Sequence, residues 1–130
     1  MIADNELIKA KILVVEDDEC VRNFTTRALQ KSGYNVFQAA NVNEVDLLLN
    51  TEKLEPDLMI TDVILPKING NTLAAQIKQK FPGVGIIFFS GYSLNYLVEN
   101  GTLDLGVNFI QKPFTVINLI DKVKNILHEN

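Results

Sequence analysis

What the sequence is short of narrows its class before any motif is read. There is one cysteine, Cys20, in 130 residues. No internal disulfide can form, which fits a reducing compartment, and Cys20 itself reads as a small, partly buried helix residue rather than a redox group. Basic charge is also scarce: 12 Lys and Arg stand against 16 Asp and Glu, for a formal net charge of −4. That balance argues against a broad electrostatic footprint for direct nucleic-acid binding or for an anionic membrane surface. A phosphate-bearing partner would have to be met locally, for instance through a metal. Long apolar runs are missing as well. Stretches such as Ile12 to Val15 and Ile86 to Phe89 fall far below the ~20 residues of a membrane span, so no membrane insertion is expected. The start, MIADNELIKA, shows no apolar h-region and no small-residue cleavage pattern, so a cytoplasmic location is expected. No linker, charge run or low-complexity tract divides the chain. We expect an N-terminal tail over residues 1–10 and one domain over 11–128, long enough to bury a core without staples.

What is present is a repeat of short apolar runs separated by helical patterns. The runs are Ile12 to Val15, Val36 to Ala39, Leu58 to Thr61, Ile86 to Phe89, and Phe109 with Ile110. Several are apolar at nearly every position, as strands covered on both faces must be. Between them, Val21, Phe24, Ala28 and Leu29 give a first helix from about Asp18 to Ser32, stopped by Gly33. Asn41 with Glu44 resembles a capping box before Val45, Leu48 and Leu49. Leu73, Ala74, Ile77 and Phe81 define a third helix, broken at Phe81-Pro82-Gly83. Leu94, Leu97 and Val98 suggest a fourth helix before Gly101, and Val116, Leu119, Ile120, Val123, Ile126 and Leu127 give the fifth. Alternating strands and helices with right-handed crossovers make an α/β, doubly wound, five-stranded parallel sheet.

In such sheets ligands bind outside the carboxyl ends of the strands. Glu16 and Asp17 follow the first strand, Asp62 the third, Ser90 the fourth and Lys112 the fifth. Three carboxylates crowded at one rim repel one another, which raises some of their pKa values or demands a cation. An all-oxygen donor set with no His or Cys beside it suits a hard ion such as Mg²⁺ (or Mn²⁺). With the ion there to offset phosphoryl charge, Asp62 has the chemistry of a nucleophile, Lys112 of a phosphoryl-oxygen partner and Ser90 of a hydrogen-bond donor.

These residues carry a family resemblance. "ILVVEDD", "PDLMITDVILPKINGNTL", "IIFFSG" and "NFIQKPF" resemble, in order and separation, the receiver domain of two-component response regulators, over about Lys11 to Leu127. "SGYS" with "LDLGVNFIQKPFT" also resembles receivers at the end of hybrid sensor histidine kinases. The resemblance implies a flavodoxin-like strand order 2-1-3-4-5 in a three-layer αβα sandwich. It implies Asp62 as phosphoacceptor, assisted by Ser90 and Lys112, and Asp17, Asp62, Glu16 and the Ile64 backbone carbonyl around the metal, with Glu16 acting mainly through water. It implies a cis Lys112-Pro113 bond, and a switch in which Ser90 moves toward the phosphoryl group and frees room for Phe109. The implied partners are a sensor histidine kinase or histidine phosphotransfer domain, and a downstream effector meeting the fourth helix, fifth strand and fifth helix, where Tyr92, Tyr96 and Leu97 lie. The implied protein is no independent enzyme; it assists its own phosphorylation and dephosphorylation. Two positions depart from the common pattern: Glu16 stands where many members have Asp, and Gly91 where Ala is frequent.

Other classes fit less well. A flavodoxin-like cofactor-binding module needs a cradle of backbone amides, whereas the first turn is Glu16-Asp17-Asp18-Glu19, with no glycine. An Asp-nucleophile phosphohydrolase needs a second acid two residues on, where Ile64 stands. A degenerate receiver acting only by protein binding has no use for all five chemical positions. Asp18 and Glu19 read as capping and dipole residues of the first helix. Pro66 and Gly70 read as parts of the loop into the third helix, Lys67 as solvated, and His128 as a solvated residue favoured by the helix dipole.

Overall fold

The structure is a computed structural model and describes residues 9–128; the expected tail lies, over residues 1–8, outside the described residues. The apolar runs form β1 (Lys11–Val15), β2 (Asn35–Ala39), β3 (Leu58–Asp62), β4 (Gly85–Ser90) and β5 (Phe109–Gln111). Between and after them run α1 (Glu19–Lys31), α2 (Val42–Asn50), α3 (Gly70–Lys80), α4 (Leu94–Glu99) and α5 (Val116–Leu127). The strands make one parallel sheet in the order β2-β1-β3-β4-β5, the doubly wound arrangement the alternation predicted.

Strand alternation divides the core in two. Leu13, Val15, Met59 and Phe88 point to one face, where Val45, Leu73, Ile77 and Leu97 from α2, α3 and α4 close over them. Ile12, Val14, Leu58, Ile60, Ile87 and Phe89 point to the other, under Leu29 of α1 and Leu119 and Val123 of α5. Each such side chain removed from water contributes about 1.5–3 kcal/mol, so the three central strands anchor the fold.

The helix ends follow the sequence signals. Asp18 caps α1 by accepting from the N–H groups of Cys20 and Val21 at 2.9 and 3.1 Å. Asn41 caps α2 through the Glu44 N–H at 3.0 Å, and the return bond from Glu44 goes to the Ala40 N–H at 2.7 Å rather than to that of Asn41. Gly33 ends α1 at φ +97°, a conformation that side chains resist.

Some expectations need correction. Cys20 is exposed rather than partly buried. Phe24 and Val116 belong to the apolar stripes of α1 and α5, yet are 45% and 42% exposed. Phe24 instead meets Phe114 at a ring separation of 5.9 Å. His128 is not simply solvated: its Nε2 is bonded to the Tyr34 hydroxyl at 3.0 Å. Among the described residues no helix is long and apolar enough to cross a membrane.

Candidate functional site

The register of the sheet sets the site. Val15 pairs with Thr61 and Asp62 with Phe89, so β1, β3 and β4 end together, and the residues just beyond them share one rim. Glu16, Asp17 and Asp62 converge there, with one carboxylate oxygen from each lying within 4.8 Å of the others. Lys112, leaving β5, reaches across. Its Nζ donates to Glu16 Oε1 at 2.5 Å and to Asp62 Oδ2 at 2.9 Å, while its ammonium lies 5.0 Å from the centre of the buried Phe89 ring.

Each acid is held differently. Glu16 is 1% exposed. Its Oε2 accepts from the Asp18 N–H at 3.0 Å, its carbonyl from Arg22 Nη1 at 2.8 Å, and its own N–H donates to the Ala39 carbonyl at 3.0 Å. Asp62, 8% exposed, accepts on Oδ1 from the Ile64 N–H at 3.1 Å. Asp17 is exposed at the mouth.

Electrostatics follow from this burial. Desolvation raises Glu16 to a pKa of about 7, against the lowering effect of its bonds to Lys112 and Asp18. Burial pulls Lys112 down, but its hydrogen bonds to Asp62 and Glu16 outweigh that and raise it. One ammonium thus stays firmly charged without fully compensating its acids. Three clustered carboxylates and the one ammonium that bonds two of them carry a net charge of −2 when all are ionised, which a divalent cation would cancel. The donor set is all oxygen, as Mg²⁺ or Mn²⁺ prefers, and so the residues fit such an ion.

The loop from β3 into α3 is built tightly around Asp62. Gly70 opens α3 with its N–H on the Val63 carbonyl at 2.6 Å; a Cβ there would overlap the Asp62 carbonyl oxygen. Lys67 turns the chain at φ +72°, with the Ile68 N–H donating to the Pro66 carbonyl at 2.8 Å, a strained three-residue turn. Lys67 is exposed, as expected, but its left-handed backbone had no sequence signal.

Ser90 ends β4 at 1% exposure, with its Oγ accepting the Tyr92 N–H at 3.1 Å. Phe109 is half-buried on β5 opposite Phe88. Among the described residues neither is hydrogen-bonded to the acids, so four predicted residues, Glu16, Asp17, Asp62 and Lys112, form the cluster and two flank it. Ile64 follows the cluster with an exposed side chain. The Lys112-Pro113 peptide is cis. Sequence reading missed Arg22, whose reach back to Glu16 depends on the path of the β1–α1 loop, and gave Gly70 only a loop role.

A model of the response regulator receiver domain matches residues 12–124. The chain is 34% identical over 120 residues to the sensor kinase CckA of Brucella abortus (strain 2308), covering 92% of this chain and 13% of that protein. It is 28% identical over 117 residues to the response regulator receiver protein CpdR of the same organism, covering 90% and 96%. A crystal structure of the receiver domain from the hybrid histidine kinase CckA superposes with a TM-score of 0.68 at 33% identity, covering 90% of this chain and 98% of that one. The chain therefore spans a small part of one relative and nearly all of another.

Proposed function

Because the chain belongs to the response regulator receiver family, we propose that it takes a phosphoryl group from a kinase or transfer-domain phosphohistidine onto Asp62 and signals through a changed surface. Receiver domains are regulatory modules that work with histidine kinases and effectors, and this one holds the acid cluster such a role needs. The single observation that carries the reading is the convergence of Asp62, Glu16 and Asp17 at the carboxyl end of the sheet, with one ammonium bonded to the first two.

The residues would divide the work as follows. Asp17, Asp62 and the Ile64 carbonyl would hold the ion, with Glu16 acting mainly through water, and the ion would supply positive charge against the phosphoryl oxygens. A carboxylate oxygen of Asp62 attacks phosphorus; the phosphorus–nitrogen bond of the donor breaks and its electron pair stays on the imidazole nitrogen. The product is an acyl phosphate on Asp62. Lys112 exchanges Asp62 for a phosphoryl oxygen, keeping a charge-assisted bond throughout. Ser90 turns from the Tyr92 N–H to another phosphoryl oxygen. That releases one bond of the β4–α4 loop, worth about 1 kcal/mol, beside a helix of only six residues. Phe109 moves into the space vacated. The effector meets α4, β5 and α5, where Tyr92 and Tyr96 are half exposed and stacked at 5.1 Å.

The test is intact mass after treatment with Mg²⁺ and a small acyl phosphate. One added phosphoryl group on the wild type, absent from Asp62→Asn, is the expected result. Phosphorylation that persists in Asp62→Asn would place the acceptor elsewhere.

A further inference from the structure

We propose that Arg22 is a positioning residue for the ion site, acting on Asp17 through the backbone. Asp17 is the least constrained acid of the cluster: it is exposed, and no hydrogen bond from its carboxylate to the described residues exists. Its placement therefore depends on the peptide that joins it to Glu16. The carbonyl of that peptide accepts from Arg22 Nη1 at 2.8 Å, and the carbonyl oxygen and the Asp17 nitrogen belong to one rigid plane. Fixing the oxygen fixes the direction in which the chain enters Asp17.

Arg22 is well placed for this. It sits in the first turn of α1, where its N–H donates to the Asp18 carbonyl at 2.9 Å, and that turn is itself locked by the Asp18 cap. The guanidinium thus closes a short ring: Glu16 carbonyl, the loop through Asp17 and Asp18, the capped turn, and back through the Arg22 side chain. Glu16 is separately held by the Ala39 carbonyl, the Asp18 N–H and Lys112, so the arginine bond bears chiefly on the one acid that nothing else orients.

The role rests on the proposed ion site, and the sign of the effect separates it from plain electrostatics. A cation removed from beside a cation site should tighten Mg²⁺ binding if charge alone matters. Loss of a positioning bond should weaken it, by about tenfold, the lower end of what supporting residues around metals contribute. Mg²⁺ affinity is measured by calorimetric titration of wild type, Arg22→Gln and Arg22→Lys, with thermal unfolding in a chelator to confirm that each is folded. The expected pattern is about tenfold weaker Mg²⁺ binding in Arg22→Gln, substantial recovery in Arg22→Lys, whose ammonium can donate to the same carbonyl, and similar ion-free unfolding temperatures. Unchanged or tighter binding in Arg22→Gln, with wild type binding normally, overturns the role of Arg22 alone. A wild type that does not bind Mg²⁺ overturns the ion site and this role with it.

Discussion

Replacing Gly70 by alanine tests whether α3 and the end of β3 are as tightly coupled as they look. An added Cβ would overlap the Asp62 carbonyl oxygen and lie 3.0 Å from the Asp62 carbon and from Val63 Cα, whereas carbons rest at about 3.5–4.0 Å. All three neighbours are backbone, so no side chain can swing away. The helix must withdraw, and withdrawal pulls the Gly70 N–H off the Val63 carbonyl. Overpacking of this kind costs about 1–3 kcal/mol and the lost bond about 1 kcal/mol. The better helix propensity of alanine returns about 1 kcal/mol at most, leaving a net destabilisation of about 1–3 kcal/mol. For a chain of this size that lowers the unfolding temperature by about 4–12 °C. On the proposed function the larger effect falls on Asp62, since a displacement of about 1 Å at a reacting group can slow transfer about 100-fold. Gly83→Ala is the control, because nothing lies near its Cβ position and its φ is not left-handed; it should stay within about 0.5 kcal/mol of wild type. Scanning calorimetry and the rate of phosphorylation by a small acyl phosphate are the assays. A Gly70→Ala protein that melts within about 1 °C of wild type and phosphorylates at the wild-type rate would refute the coupling.

Glu16 gives a pH dependence of definite sign. Its pKa in the fold, about 7 against an ordinary 4.5, means the folded ion-free protein binds the proton more tightly than the unfolded chain. Its contribution to stability is full below 4.5 and lost as the pH rises through 7. At the proposed ion site Mg²⁺ would compete with that proton, so affinity should climb between about pH 6 and pH 8, with proton release visible in calorimetry across buffers; a flat profile would show that Glu16 is already ionised. Lys67→Gly should stabilise by about 0.5–1 kcal/mol, since φ +72° strains a lysine and not a glycine, and urea titration should show a higher midpoint at unchanged slope. Tyr34→Phe removes the bond that ties His128, at the end of α5, to the turn after α1. It should lower stability by about 0.5–1.5 kcal/mol in the same titration, and no loss at all would mean the pair is not formed in solution.

The parts of the fold that were legible are those where one local rule acts alone. Ile12 to Val15 and Leu58 to Thr61 read as doubly covered strands because every residue but Thr61 is apolar, and all eight are buried. Asp18 read as a cap because capping needs only the next three residues. The acid cluster was legible for a different reason: strand ends carry their chemistry at predictable places, so Glu16, Asp17, Asp62 and Lys112 could be gathered once the strands were known. What stayed hidden depends on the path of a loop or on how far a neighbour extends. Arg22 belongs with the site only because the β1–α1 loop folds its carbonyl back toward the helix. Gly70 matters through a backbone eight residues earlier in the chain, and Lys67 looks like any surface lysine until its φ is known. Phe24 and Val116 show the limit of periodicity: it says which side of a helix is apolar, not how much of that side the sheet can cover.

The same distinction bears on why the site is built as it is. The buried strands hold Glu16 and Asp62 in place whether or not the acids repel, because the apolar residues before them fill both faces of the sheet. The core can therefore carry an arrangement that would not persist on a loop. Lys112 relieves part of the repulsion by bonding both buried acids, yet burial still leaves Glu16 holding a proton near neutrality. An amine that fully satisfied the acids would make a stable ion pair and leave no demand for a cation. One that shares itself between two carboxylates leaves the cluster under-neutralised and keeps its own charge available. On the proposed mechanism that is the useful state: the ion answers the remaining deficit, and Lys112 can pass from a carboxylate to a phosphoryl oxygen without giving up a charge-assisted bond. On that reading, stability lost at the rim is the condition for chemistry there, and β1 and β3, which supply the acids, are buried along nearly their whole length.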